Sequence, residues 1–225
     1  MNIGLIVAAG RGYRVGGPLP KQYLMLAGQP ILRRTIAALT RHPALDAVQV
    51  LIHPDDRVLY DNATAGLDKL LPVALGGKER QDSVRLGLAA IAGLNPQTVL
   101  IHDAVRPFIA QETISAILAA LTRGSAAIVG VPLADTLKRV DGNVVTNTVS
   151  RAGLWRAQTP QGFKFQDILK AHDHAARTAP ETDFTDDAMI AEYAGLRVEM
   201  VQGHEDNFKI TTAADLARAE AMLIC

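Results

Sequence analysis

The chain has 225 residues, 48% of them hydrophobic and 20% charged, which is enough apolar material for a sizeable core and argues against a disordered chain. Its 23 basic residues equal its 23 acidic ones, so no overall positive field draws it to nucleic acid or an anionic membrane, and any phosphate recognition has to be local. The one cysteine, Cys225, excludes an internal disulfide framework, fits a reducing cytoplasm and is poorly placed for a catalytic thiol.

In chain order, residues 3–8 form a short apolar run with no basic leader, expected to be a buried strand rather than a signal peptide or a membrane span. A glycine-rich loop, residues 8–21, follows. Leu32, Ile36 and Leu39 recur at helical spacing, residues 47–53 read as a second strand, and an apolar stretch at 70–75 leads to a helix from Ser83 onward marked by Val84, Leu88 and Ile91. Residues 98–102 and 126–131 read as strands around a helix marked by Ile114, Leu118 and Leu121. The apolar stretch at 124–134 contains Pro132 and is far short of the roughly 20 residues that cross a bilayer.

This alternation predicts the α/β class: a three-layer, Rossmann-like, mostly parallel twisted sheet with helices on both faces. Residues 135–149 break the rhythm, alternating polar with β-branched residues around a central Asp141-Gly142 turn, a β-hairpin signal. A two-stranded hairpin is marginal in water, so it must pack on its own core or on another subunit, and another subunit is the expectation here. Thr212-Ala213-Ala214-Asp215 reads as a capping box opening a last helix, with Leu216, Ala219 and Leu223 on one face to dock on the core. No repeat or linker divides the chain, which reads as one domain, 1–225, with a β-arm at about 135–152.

The loop at 8–21 follows the first strand, at the carboxyl edge where α/β sheets bind ligands. A dinucleotide fingerprint starting at Gly10 and Gly12 fails at Val15, and a P-loop fails because Lys21 stands between Pro20 and Gln22. What remains is an open loop with small residues first and three cations, Arg11, Arg14 and Lys21. Glycines let backbone N–H groups approach phosphate oxygens, and the cations add charge-assisted hydrogen bonds, which suits a triphosphate. Position and charge together favour this over a solvated Gly/Pro turn. Gly76-Gly77 before Ser83 repeats the device at a helix N-terminus. Asp103 and Arg106 put a carboxylate and a guanidinium at a strand end, fitting either a ribose or metal-bound phosphate site or a surface ion pair. The six histidines, 42, 53, 102, 172, 174 and 204, lack zinc-ligand spacing and read as solvated or satisfied; no GxSxG elbow is present.

Seven blocks, Ala8-Ala9-Gly10-Arg11-Gly12-Tyr13-Arg14, Pro20-Lys21-Gln22-Tyr23, Gly77-Lys78-Glu79-Arg80-Gln81-Asp82-Ser83, His102-Asp103-Ala104-Val105-Arg106-Pro107, Asp135-Thr136-Leu137-Lys138, Thr159-Pro160-Gln161 and Asp206-Asn207-Phe208-Lys209, occur in one order. Together they resemble the 2-C-methyl-D-erythritol 4-phosphate cytidylyltransferase family of the non-mevalonate isoprenoid pathway, from Ile3 to about Leu223. The resemblance implies attack of the acceptor's phosphate oxygen on the α-phosphorus of CTP, with release of pyrophosphate and with Mg²⁺ held mainly by the CTP phosphates rather than by a protein cage. It implies catalytic roles for Arg14, Lys21, Arg151 and Lys209, nucleotide contacts at Ala8, Ala9, Gly10, Gly12, Gly77, Ser83 and Asp103, and acceptor contacts at Arg106, Thr136 and Thr185. It also implies a cytoplasmic homodimer in which the β-arm reaches the partner's site, and in some relatives a fused later-pathway enzyme. Asp187 stands where relatives often carry glutamate, and Val105 where they carry alanine. The rival readings are a cytidylyltransferase for another polyol phosphate such as ribitol 5-phosphate, a non-catalytic nucleotide-binding module, and a dehydrogenase, which the failed fingerprint opposes.

Overall fold

A computed structural model describes residues 1–11 and 19–224. In chain order the elements are β1 (Asn2–Ala8), β2 (Met25–Leu26), β3 (Gln29–Pro30), α1 (Ile31–Thr40), β4 (Ala47–Ile52), α2 (Arg57–Thr64), β5 (Ala74–Leu75), α3 (Arg80–Ile91), β6 (Thr98–Asp103), α4 (Gln111–Leu121) and β7 (Ala126–Pro132). There follow β8 (Leu137–Asp141), β9 (Val144–Val149), β10 (Trp155–Lys164), α5 (Phe165–Thr178), α6 (Asp187–Tyr193), β11 (Val198–Gln202) and α7 (Ala213–Ile224). Short 3₁₀ turns at Lys21–Tyr23 and Pro54–Asp56 bear on the site.

Seven strands make one sheet in the order β11-β7-β10-β6-β1-β4-β5. All neighbours pair in parallel except β10, which runs antiparallel between β6 and β7. The apolar runs expected to be strands are β1, β4, β6 and β7, each almost wholly buried because helices cover both faces. On one face Ile6, Val48, Val50, Leu100 and Val129 pack against α1 and α4 through Leu32, Ile36, Leu39, Ile114 and Ile117. On the other, Ile3, Leu5, Leu51, Val99 and Phe163 meet Val84, Leu88, Ile168 and Ile190 of α3, α5 and α6. Leu118, expected to face the core, is only partly buried at its margin.

Three local features differ from the sequence pattern. α3 starts at Arg80, not Ser83, because Glu79 caps it and Asp82 returns the bond to the Glu79 N–H. β10 carries the polar run Gln158 to Gln161 into the sheet, with a register shift between Ala157 and Gln161, so no apolar period announces it. The hairpin β8-β9 forms its own two-stranded sheet around Gly142-Asn143, with Asp141 pairing to Val144 and Gly142 at φ +56°. The turn therefore sits one residue later than Asp141-Gly142. At the chain end, the Asp215 N–H donates to Thr212 Oγ1 while Asp215 Oδ2 accepts from the Thr212 N–H, and Ala219 is buried against Leu26, Ile31, Val105 and Ile210. Among the described residues no helix is long and apolar enough to cross a membrane.

Candidate active site

The carboxyl ends of β1 and β6 open into a cleft of about 930 Å³ lined by Ala8, Ala9, Gly10, Lys21, Gln22, Gly77, Lys78, Glu79, Arg80, Ser83, Asp103 and Lys209, among others. The first strand ends here because its neighbours β4 and β6 end here too, leaving the Ala9-Gly10 backbone at the edge. Gln22 is buried, and its amide donates to Ala8 O at 2.7 Å and Gly10 O at 3.1 Å, so it bridges the two ends of the loop.

Next to this loop, the turn before α3 folds over Ser83. The Gly77 N–H donates to Ser83 Oγ at 3.0 Å, and the hydroxyl donates to Glu79 O at 3.1 Å. A Cβ on Gly76 would stand 2.3 Å from Ala9 Cβ, so glycine there is what lets the two nucleotide-loop candidates touch.

Asp103 closes β6 as a hub of charge. It is 7% exposed, with Oδ2 3.1 Å from both Lys209 Nζ and Arg106 Nε, and Oδ1 3.9 Å from Arg80 Nε. Burial, the largest influence, works to raise its pKa; Lys209, Arg80 and Arg106 together outweigh it and hold the carboxylate well below the usual range. The surface-pair alternative for Asp103 and Arg106 is therefore ruled out.

Buried polar partners hold this hub. The Asp103 N–H donates to Thr159 Oγ1 at 3.0 Å; the threonine hydroxyl, 2.9 Å from His102 Nδ1, donates to it, and His102 Nε2 then donates to Arg106 O at 3.0 Å. Burial pushes the His102 pKa down to about 4, so the ring is neutral, as this relay requires. Arg106 Nη1 also donates to Asn207 O at 2.7 Å, and Asn207 Nδ2 to Thr159 O at 2.8 Å. Arg80 extends the network: its Nη2 is 2.7 Å from Asp187 Oδ2, and His172 Nε2 is 3.3 Å from Asp187 Oδ1. The Arg80 contact is an ion pair without hydrogen-bond alignment, and both Asp187 oxygens and His172 Nε2 lack a hydrogen-bond partner among the described residues. Burial raises the Asp187 pKa, but the Arg80 charge and then the His172 contact bring it below the usual carboxylate value.

Of the residues singled out in the sequence, Ala8, Ala9, Gly10, Lys21, Gly77, Ser83, Asp103 and Lys209 line one cleft. Arg106 and Lys209 continue into an adjoining hollow of about 490 Å³ that also includes Arg156 and Arg218. Gly12 and Arg14 lie outside the described residues. Arg151 and Thr136, near the roots of the hairpin, and Thr185, just before α6, are exposed and off the cleft lining. Arg11, grouped with Lys21 as a phosphate cation, instead turns to Asp55 and Asp56. His102 is buried and satisfied, as expected of a histidine without ligand spacing; His172 is buried too, but its Nε2 has no hydrogen-bond partner among the described residues, so it departs from that expectation. Gln22, Arg80, Thr159 and Asn207 were not singled out as site residues; each stood inside a quoted block, but its contacts are distant in sequence.

Residues 3–224 match the sequence family described as IspD, 2-C-methyl-D-erythritol 4-phosphate cytidylyltransferase. The chain is 56% identical over 218 residues to the bifunctional enzyme IspD/IspF of Paramagnetospirillum magneticum, covering 97% of this chain and 56% of that protein, and 53% identical to that of Rhodospirillum rubrum over the same shares. It thus spans only 56% of the length of these curated relatives. The crystal structure of 4-diphosphocytidyl-2C-methyl-D-erythritol synthase from Anaerococcus prevotii superposes with a TM-score of 0.85 at 29% identity, covering 100% of this chain and 96% of that one. The Francisella tularensis 2-C-methyl-D-erythritol 4-phosphate cytidylyltransferase gives 0.83 at 30% identity, covering 98% and 99%. With the cleft, its cations and the order of its loops already in place, these matches make the chain a member of the 2-C-methyl-D-erythritol 4-phosphate cytidylyltransferase (IspD) family.

Proposed function

We propose that this chain transfers the cytidylyl group of CTP to 2-C-methyl-D-erythritol 4-phosphate, forming 4-diphosphocytidyl-2-C-methyl-D-erythritol and pyrophosphate. The observation that carries the reading is the cleft itself, lined by two small-residue loops, by Lys21, and by Arg80 and Lys209 converging on Asp103.

The acceptor phosphate has a second pKa of about 6 and is largely ionised at neutral pH, so no base is needed to create the nucleophile. The obstacle is repulsion between two polyanions and the charge that gathers around the α-phosphorus, so the work falls to positioning and to cations. Ala9, Gly10 and Gly77 let the nucleotide approach the backbone. Lys21 faces the triphosphate, and Lys209, held to Asp103 yet 40% exposed, reaches towards the acceptor phosphate with Arg106 in the adjoining hollow. The family resemblance assigns Arg14, which lies outside the described residues, to the nucleotide as well.

Mg²⁺ typically takes one or two carboxylates together with substrate phosphates and water. Asp103 fits that donor set: Oδ2 faces two cations at 3.1 Å while Oδ1 has its nearest cation at 3.9 Å. When bound, the ion neutralises part of the triphosphate charge; Asp103 would hold it, and Lys21 and Lys209 act on the oxygens it leaves.

Thr136 and Arg151 are off the cleft of their own protomer, which supports a homodimer whose arms supply them to the partner's acceptor site. A cytoplasmic setting suits these water-soluble substrates, and the bifunctional relatives suggest a partnership with a later pathway enzyme. The test is a product assay offering each nucleoside triphosphate with methylerythritol phosphate and with ribitol phosphate. Selective formation of the cytidine diphosphate-linked methylerythritol is expected; preference for ribitol phosphate or indifference to CTP refutes the assignment.

A further inference from the structure

Both ends of the loop that carries Lys21 converge on a carboxylate outside the cleft. At the start, Arg11 Nη1 donates to Asp56 Oδ1 at 3.0 Å, and Nη2 donates to Asp55 Oδ2 at 2.6 Å and lies 2.7 Å from His53 Nδ1. At the end, Tyr23 is buried in the 3₁₀ turn that begins with Lys21, near enough that, after burial, the Asp56 charge is the main influence on its phenol. The Tyr23 hydroxyl and Asp56 Oδ2 are both enclosed without a hydrogen-bond partner among the described residues. Asp56 is 1% exposed, and among the described residues neither it nor Arg11 lines the cleft.

A carboxylate this deep needs a compensating charge, and a guanidinium is always charged and presents a rigid fork. Removing Arg11 leaves the buried Asp56 uncompensated, and removing Asp56 leaves Arg11 only the exposed Asp55 as a carboxylate partner, so the position of Arg11 next to Gly10 depends on Asp56. Gln22 adds a second tie, from the other end of the loop to Ala8 and Gly10. Asp56 itself is anchored in the 3₁₀ turn Pro54–Asp56, which follows directly on β4, so its place is set by the sheet.

We propose that Asp56 and Arg11 form a latch that sets the start of the nucleotide loop, Ala9 to Arg11, against the sheet, Asp56 acting as a positioning residue that never touches the nucleotide. The rival role for Arg11, direct contact with phosphate, makes a different prediction in a double-mutant cycle. If the latch acts as a unit, Arg11→Met and Asp56→Asn each weaken Mg·CTP binding roughly tenfold and the double variant is no weaker than either. The KM for the acceptor stays within about twofold of wild type, a split that a general folding defect does not produce. Additive losses, or a silent Asp56→Asn beside a damaged Arg11→Met, would overturn the latch in favour of direct contact.

The inference rests on the cytidylyltransferase reading only for its nucleotide probe. Hydrogen exchange on the ligand-free chain tests the latch independently: amides of Ala9 to Arg11 and Lys21 to Tyr23 exchange faster in both variants, and unchanged exchange overturns the proposal whatever the nucleotide proves to be. If the neutral variants do not fold, Arg11→Lys keeps the charge opposite Asp56 but loses the fork to Asp55 and His53. That variant is expected to speed the same amides, and wild-type exchange in it also counts against the latch.

Discussion

Lys209 and Lys21 both line the cleft but have different surroundings. Lys209 is a half-exposed partner of Asp103, so Lys209→Met removes a cation from the reacting region while Arg80 and Arg106 still compensate the carboxylate. Turnover is expected to fall about 100-fold, on the order of 3 kcal/mol of transition-state stabilisation, with the melting temperature nearly unchanged. A pyrophosphate-release assay paired with thermal unfolding checks both halves. Lys21→Ala is expected to lose turnover similarly, and near-normal turnover in that variant refutes its role. His102 makes a separate, pH-dependent prediction. Its folded pKa of about 4 lies below the ordinary 6.5 because of burial, so as pH falls the unfolded chain takes up the proton first. Its contribution is intact above about pH 6.5 and is lost as pH falls towards 4, amounting to about 2 kcal/mol between pH 7.5 and pH 5. Urea denaturation at the two pH values should show His102→Gln losing less stability on acidification than wild type does.

The elements matter here through the turns that end them. β1 and the turn before α3 meet at Ala9 and Gly76, where an added methyl group has no room. Gly76→Ala is expected to cost about 1–3 kcal/mol of stability through overpacking and to raise the KM for CTP more than that for the acceptor, because the displaced turn carries Gly77 and Ser83. Equal changes in both constants would argue that the turn is not on the nucleotide side. Helix periodicity made α1, α3 and the closing α7 legible, and the Thr212–Asp215 capping box formed as its spacing implied. β10 was not legible. Gln158, Thr159 and Gln161 are buried in it because distant groups satisfy them: His204 O and Asn207 for Gln158, His102 for Thr159, Asp186 and the first amides of α6 for Gln161. A polar run of that kind resembles a loop until its partners are known.

At the scale of the whole molecule, the described cleft is lined by residues of one chain, whereas among the described residues the hairpin β8-β9 pairs only with itself and leaves Val140, Val144 and Val145 exposed. That asymmetry gives the homodimer proposal a specific test. Replacing Val144 and Val145 by aspartate is expected to yield a monomer in analytical ultracentrifugation, with turnover reduced at least about 100-fold and Mg·CTP affinity within a few-fold of wild type. A monomer with full turnover would sink the idea that the arm completes the partner's site.

By itself the sequence determined the α/β alternation, the strands β1, β4, β6 and β7, the position of the glycine-rich loop at their carboxyl edge and the hairpin, because hydrophobic period and turn chemistry act within short windows. Tertiary structure alone decided that Asp103 is a buried hub and not a surface pair, and that Arg11 faces Asp56 while Lys21 faces the cleft. Arg106 and Asn207 are 101 residues apart, and no local pattern tells an arginine which of several carboxylates will compensate it. Burial decides that choice: a carboxylate withdrawn from water must be met by whichever cation the packed strands bring within reach.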